Sequence, residues 1–150
     1  MSELIMLLRV ATLIHKPMRD GVADPLGLGS NELRILMALG GEGAMAGFEL
    51  SDMIGLPPMN VSRALDSLQR MGLVEPLADE RNRRRKPHQL SKAGWKAFHE
   101  SEARTGFVAE FLFSELAPAD RAKFAELLGK LDRRIGEWRT PETKPRAASG

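Results

Sequence analysis

Apolar residues recur at three- and four-residue spacing along most of this 150-residue chain, and the pattern predicts six helices and one hairpin. A first helix is expected from Ser2 to about Arg19, with Leu4, Leu8, Ala11, His15 and Met18 on one stripe. Pro17 should kink or loosen its last turn, because proline lacks an N–H and crowds the preceding turn. Gly21 to Gly29 reads as a loop. Ser30 is a suitable N-cap for a second helix, Asn31 to Leu39, with Leu33, Leu36 and Met37 inward and Gly40-Gly41 and Gly43 as its stop. A short third helix, Phe48 to Ile54, closes at Gly55. Pro57-Pro58 opens a fourth, since proline is pre-organised for a first helical turn. It runs to about Met71 and buries Val61, Leu65 and Leu68, with Gly72 after it.

Leu73-Val74 then starts a strand whose return is expected at about His88 to Leu90. Ser91 caps a long fifth helix carrying Trp95, Phe98, Phe107, Phe111 and Leu112. Ala117-Pro118 breaks it. The sixth carries Phe124, Leu127, Leu128, Leu131, Ile135 and Trp138 at helical spacing. Residues 140–150, with two prolines, small residues and charges, read as a flexible tail. The sum is a mainly α chain with a small β-wing: a winged helix-turn-helix part at about 30–92, flanked by helices at about 2–20 and 92–138 within a single unit, 1–139.

Between the two strands lies Asp79-Glu80-Arg81-Asn82-Arg83-Arg84-Arg85-Lys86, in which seven of eight residues are charged and five are cations. The formal net charge is only +2, but residues 57–99 alone sum to +5, whereas 29–56 sum to −3 and 100–138 to −2. Positive charge is concentrated on the helix-turn-helix and its wing, which is the footprint a polyanion such as double-stranded DNA requires. The chain has no cysteine, which removes disulfides, thiol redox sensing and cysteine-bound zinc. No apolar run approaches the ~20 residues of a membrane span. Met1 to Val10 lacks a basic start and a small-residue cleavage site, so a helix of a cytoplasmic protein is expected there.

Away from its apolar face the fourth helix presents Pro58, Met59, Asn60, Ser62, Arg63, Asp66 and Ser67. Arginine can bind guanine, and asparagine adenine, through paired hydrogen bonds in the major groove, and Met59 can touch a thymine methyl. The plain alternative is a solvated helix face. The wing residues Arg81, Arg83, Arg84, Arg85 and Lys86 suit phosphates and a narrow minor groove; the alternative is a charged turn, or a loop for RNA or an acidic protein. Lys92 and Lys96 can add backbone contacts. His15, His88 and His99 are scattered, so no metal site is expected, and no phosphate loop, nucleophile set or carboxylate pair points to an enzyme or a cofactor.

The long terminal helices carry apolar stripes too broad for one small domain to cover, so a homodimer is expected. The order of the pieces resembles the MarR family of winged-helix regulators across about residues 4–138. The resemblance rests on Glu32-Leu33-Arg34-Ile35-Leu36, on Val61 to Leu68, on Met71-Gly72-Leu73-Val74, on Leu90-Ser91-Lys92-Ala93-Gly94 and on Leu116-Ala117-Pro118. Asn82 stands where the family carries an aspartate that orients a wing arginine into the minor groove, and Asp79 or the Asn82 amide is available to take its place.

The resemblance implies a regulator, in most cases a repressor, that reads a pseudo-palindromic operator and is released by a small aromatic or phenolic effector. Candidate effector residues are His15, Met18, Arg19, Arg34, Met37, Trp95 and Phe98. The alternative for His15 and Arg19 is a dimer-interface histidine and a solvated helix end. The rival to the whole functional reading is a winged-helix protein-interaction module without an operator.

Overall fold

The computed structural model describes residues 1–138, so the tail expected at 140–150 lies outside the described residues. The elements in order are α1 (Glu3–Leu13), α2 (His15–Met18), α3 (Ser30–Glu42), β1 (Met45–Ala46), α4 (Gly47–Ile54), α5 (Pro58–Arg70), β2 (Val74–Pro76), β3 (Pro87–Leu90), α6 (Lys92–Leu112) and α7 (Pro118–Gly136). The chain divides into two compact units, Met1–Phe111 and the part from Leu112 onward. The fold class is the expected one, mainly α with a β-wing.

The first helix is not continuous. Pro17 has no N–H to give the carbonyl of Leu13, and the helix is interrupted at Ile14 before resuming at His15. Nor is Gly21 to Gly29 a loop. A π-helical turn spans Arg19–Ala23 and a 3₁₀ turn spans Asp24–Leu26, and the helical path is left only at Gly27, at φ 68°, with Gly29 extended before the next helix. Val22 and Ala23 anchor this ramp in the core. Gly21 is small because α6 passes over it: a Cβ there would stand 2.6 Å from Val108.

At α3 two expectations are corrected. Gly29, not Ser30, holds the N-cap position, and Glu32 reaches back to accept its backbone N–H at 2.6 Å. Gly40-Gly41 does not stop the helix, which runs to Glu42 and ends at Gly43, φ 87°. Gly40 serves packing instead, since the Phe98 ring lies where its Cβ would be, 2.2 Å from the nearest ring atom. The buried face of α3 is also wider than expected, with Ile35, Ala38 and Leu39 joining Leu33 and Leu36.

The core sits where α3 meets α5. Val61, Ala64, Leu65 and Leu68 pack with the α3 residues, Leu50 of α4, Val74 of β2 and Leu90 of β3. Of the apolar residues of α4, Leu50 is buried, whereas Phe48 and Met53 are exposed. The hairpin is part of a three-stranded antiparallel sheet in the order β1-β3-β2, with Met45 opposite His88 and Val74 opposite Leu90. The two-residue β1 was not anticipated. Helix α6 starts on Ser91, whose Oγ accepts the Gly94 N–H at 3.1 Å, and buries a narrow stripe of Gly94, Ser101 and Val108.

Gly94 is the tightest of these contacts, because a Cβ there would lie 2.0 Å from the backbone carbonyl oxygen of Leu73. Backbone cannot swing aside as a side chain can. Gly94→Ala should therefore lower the unfolding free energy by about 1–3 kcal/mol, read as a lower urea midpoint at unchanged slope. An unchanged midpoint would mean that α6 does not rest on the wing strand in this way.

Candidate nucleic-acid interface

Helix α5 is positioned by its buried face, so its opposite face is presented to solvent by default. Pro58, Met59, Ser62, Arg63, Asp66, Gln69 and Arg70 are exposed, whereas Asn60 and Ser67 are half-buried at the margins. Arg63, Asp66, Gln69 and Arg70 together line a shallow depression. A second depression runs between Asn60, Arg63 and Ala64 on α5 and Gly29, Ser30, Asn31 and Glu32 at the start of α3. Arg63 borders both. Among the described residues its guanidinium has no hydrogen-bond or ion-pair partner. Gln69 and Arg70 were not singled out in the sequence, although they stand three and four residues after Asp66 and simply continue its polar stripe.

The wing folds around two short side chains. Asp79 Oδ1 accepts the backbone N–H groups of Arg81 (3.0 Å) and Asn82 (3.1 Å). The Asn82 side-chain oxygen accepts those of Arg84 (3.1 Å) and Arg85 (3.4 Å). These are turns closed by Asx side chains, which is why a tip with so few apolar residues is ordered.

The cations then divide. Arg85 turns inward: Nε and Nη2 form a fork on the two carboxylate oxygens of Glu49 in α4, the second at 3.0 Å, and Nη1 reaches Asp79 Oδ2 at 3.2 Å. Its side chain is 29% exposed, and those of Glu49 and Asp79 are 29% and 19%. Arg81, Arg83, Arg84 and Lys86 are exposed, and among the described residues their charged groups have no protein partner. Arg85 and Asp79 are thus engaged with each other, and Arg85 with Glu49, within the protein. Lys92 and Lys96, at the start of α6, are exposed as well.

The effector candidates are dispersed in role. Arg34 donates to the carbonyl of Ile54 and so caps the C-terminal end of α4, where a cation also meets the favourable end of the helix dipole. Met18, Met37 and Phe98 pack against the core. Trp95 and Phe98 meet edge to face with ring centroids 5.6 Å apart. His15 and Arg19 are exposed, with Arg19 3.5 Å from Asp20. Among the described residues no group of three His, Cys, Asp or Glu side chains is placed to hold a metal ion, and no helix is long and apolar enough to cross a membrane.

Arg85 holds the Glu49 carboxyl below its ordinary value of 4.5. Asp79 lies below its ordinary 3.8, first through Arg85 and then through the backbone N–H of Asn82. Carboxylates with depressed folded-state pKa values add stability above their unfolded pKa and lose it as pH falls through the folded one. The wing contacts should thus be intact at neutral pH and fail only in acid. Carboxyl ¹³C titration should place Glu49 below 4.5 and Asp79 below 3.8; ordinary midpoints would mean that the fork is not formed in solution.

A sequence model of the MarR family matches residues 26–85. No curated protein matches the chain. Among solved structures, the reduced form of MarR from E. coli aligns with a TM-score of 0.75 at 19% identity, covering 87% of this chain and 96% of that one. A MarR-family transcriptional regulator from Silicibacter pomeroyi aligns with a TM-score of 0.73 at 23% identity, over 91% and 90%. BpsR from Bordetella bronchiseptica, whose structure concerns regulation of DNA binding by 6-hydroxynicotinic acid, aligns with a TM-score of 0.74 at 22% identity, over 87% and 99%. At these identities the structural likeness is one of fold. The sequence match to the MarR family spans the helix-turn-helix and the wing tip, and over most of the chain the fold is the winged-helix fold of those solved structures.

Proposed function

We propose that the protein is a transcription regulator, acting as a repressor, that binds a pseudo-palindromic DNA operator as a homodimer. The observation that carries this reading is the set of unpartnered cations on one surface system: Arg63 on the exposed face of α5, and Arg81, Arg83, Arg84 and Lys86 on the wing. A protein that used these arginines for its own stability would pair them, as it pairs Arg85. Left free, they match an external polyanion. In the major groove Arg63 would take a guanine edge, worth about 1–3 kcal/mol against a wrong base. The wing cations would neutralise phosphates, and one would enter an A·T-rich minor groove, whose narrow walls deepen the negative potential.

Two copies reading half-sites about one helical turn apart, ~10 bp, require a symmetric contact. The apolar stripes available for it are Leu4, Ile5 and Leu8 on α1, and Leu127, Leu131 and Ile135 on α7, all of them exposed in the single chain. The effector would be a small aromatic acid or phenol, a class supported by the 6-hydroxynicotinic acid named for BpsR. Met18, Met37, Trp95 and Phe98 would wall its pocket, with His15 and Arg19 as polar partners. Arg34 is committed to α4 and is left out of that set.

Fluorescence anisotropy on fragments of the upstream DNA of its own gene, against scrambled duplex at ~150 mM salt, tests the reading. One fragment should bind far more tightly than scrambled DNA, with two protomers per site. Arg63→Ala should relax preference at one base pair in each half-site. Arg83→Ala with Arg84→Ala should weaken all duplexes and flatten the log-log salt dependence by about 0.9 for each phosphate no longer neutralised. A double wing variant that binds at wild-type strength would overturn the wing assignment, and equal weak binding to every fragment would favour a wing that serves an acidic protein surface.

A further inference from the structure

We infer that Arg85 is not a DNA contact but one half of a positioning pair, Arg85–Glu49, which latches the wing to helix α4 and so sets where the free wing arginines stand relative to the recognition helix. This rests on the DNA-binding reading above and specifies which of the wing cations are available to the DNA.

Leu77 still donates its N–H to the Pro87 carbonyl at 2.9 Å, and residues 78–86 leave the sheet between them. Within residues 78–86, among the described residues, the hydrogen bonds that reach outside the wing all run from Arg85 to Glu49. The Asx turns at Asp79 and Asn82 shape the tip, but they fix nothing about its angle to the body. That angle depends on the fork between Arg85 and Glu49. A planar guanidinium on a carboxylate is directional in two dimensions, which a lysine ammonium is not. Glu49 lies in α4, one short turn before α5, so a wing fixed to Glu49 is fixed in the frame of the recognition helix.

Charge supports the same assignment. Two carboxylates, Glu49 and Asp79, stand beside a surface proposed to meet phosphates, where each would repel DNA if left bare. Arg85 neutralises them together and leaves Arg81, Arg83, Arg84 and Lys86 uncancelled. A direct phosphate ligand would have to give up two protein carboxylates first.

The two roles predict opposite signs for one substitution. If Arg85 were a phosphate ligand held back by Glu49, then Glu49→Gln would release it, tighten DNA binding and steepen the salt dependence. As a latch, Glu49→Gln should weaken operator binding by about three- to tenfold, the range for a partly exposed charge-assisted pair, with the salt slope close to wild type. Arg85→Lys should do the same, because it keeps the charge and removes the fork, whereas it would bind as wild type if a point charge on phosphate were all that mattered.

The latch is also measured without DNA. The Arg85 Nε–H, which donates to Glu49, should exchange slowly in the free wild-type protein and lose that protection in Glu49→Gln, at unchanged helix content by circular dichroism. Tighter binding by Glu49→Gln, wild-type binding by Arg85→Lys, or unchanged Arg85 Nε–H protection in Glu49→Gln would each overturn the proposal. If wild-type protein bound no duplex at all, the DNA-binding reading would fail, and the exchange measurement would still decide whether the latch orders the wing.

Discussion

The packing of α5 on α3 is the constraint from which the rest of the molecule follows. Val61, Ala64, Leu65 and Leu68 recur at three- and four-residue intervals, and burying them leaves one orientation for the helix. Once that face is inward, Met59, Ser62, Arg63, Asp66, Gln69 and Arg70 point outward without any further instruction. Burial of this kind is worth roughly 1.5–3 kcal/mol for each large aliphatic side chain, whereas an exposed ion pair contributes about 0–1 kcal/mol. The recognition surface is thus held by apolar contacts on the far side of its own helix. Its polar residues are free of structural duty, which is what the proposed exchange of water for DNA would require.

The wing obeys a different rule because it has little to bury. Its tip is ordered by side-chain oxygens accepting backbone N–H groups, and its link to the body is ionic. A link of that kind is weaker than a core and is sensitive to solvent, but it can be directional. Dividing five cations into one that is committed and four that are not solves a conflict inherent in charged loops. Some charge must be spent on holding the loop, or the loop has no fixed geometry in which to present the remainder.

The sequence carried the periodic elements well and the long-range exceptions poorly. Helix α5, the wing and the Ser91 cap were legible because each depends on neighbours a few residues away. Gly40-Gly41 was misread as a helix stop, since glycine does end helices; that Gly40 is small for the sake of Phe98, far along the chain, is a fact about tertiary contact alone. The ramp through Gly21 was misread for the same reason, because Val108 demands the glycine. Strand β1 has two residues and shows no alternation to detect. Arg85 is the sharpest case. In sequence it is one arginine among three in a row, and only the position of Glu49, 36 residues earlier, tells it from Arg83 and Arg84.

The same reasoning explains where the aromatic residues of α6 stand. Trp95, Phe107 and Phe111 are exposed and only Phe98 packs inward, onto Gly40, while the helix buries Gly94, Ser101 and Val108. Small residues let the helix approach the Leu73 carbonyl and Gly21 closely, and large ones on the same face would hold it away. The bulky face is consequently turned outward, with Phe107 81% exposed. Water-facing phenylalanines at helical spacing are costly for a lone chain, since each forgoes the burial free energy that a covered side chain gains. In the proposed homodimer a second copy of the chain would cover such faces, and a two-fold contact would bring two copies of α5 under one symmetry axis. On the proposed reading the apolar surplus of the helices and the unpartnered cations of the wing would be parts of one design, in which the first would fix the spacing of the second on an operator of matching symmetry.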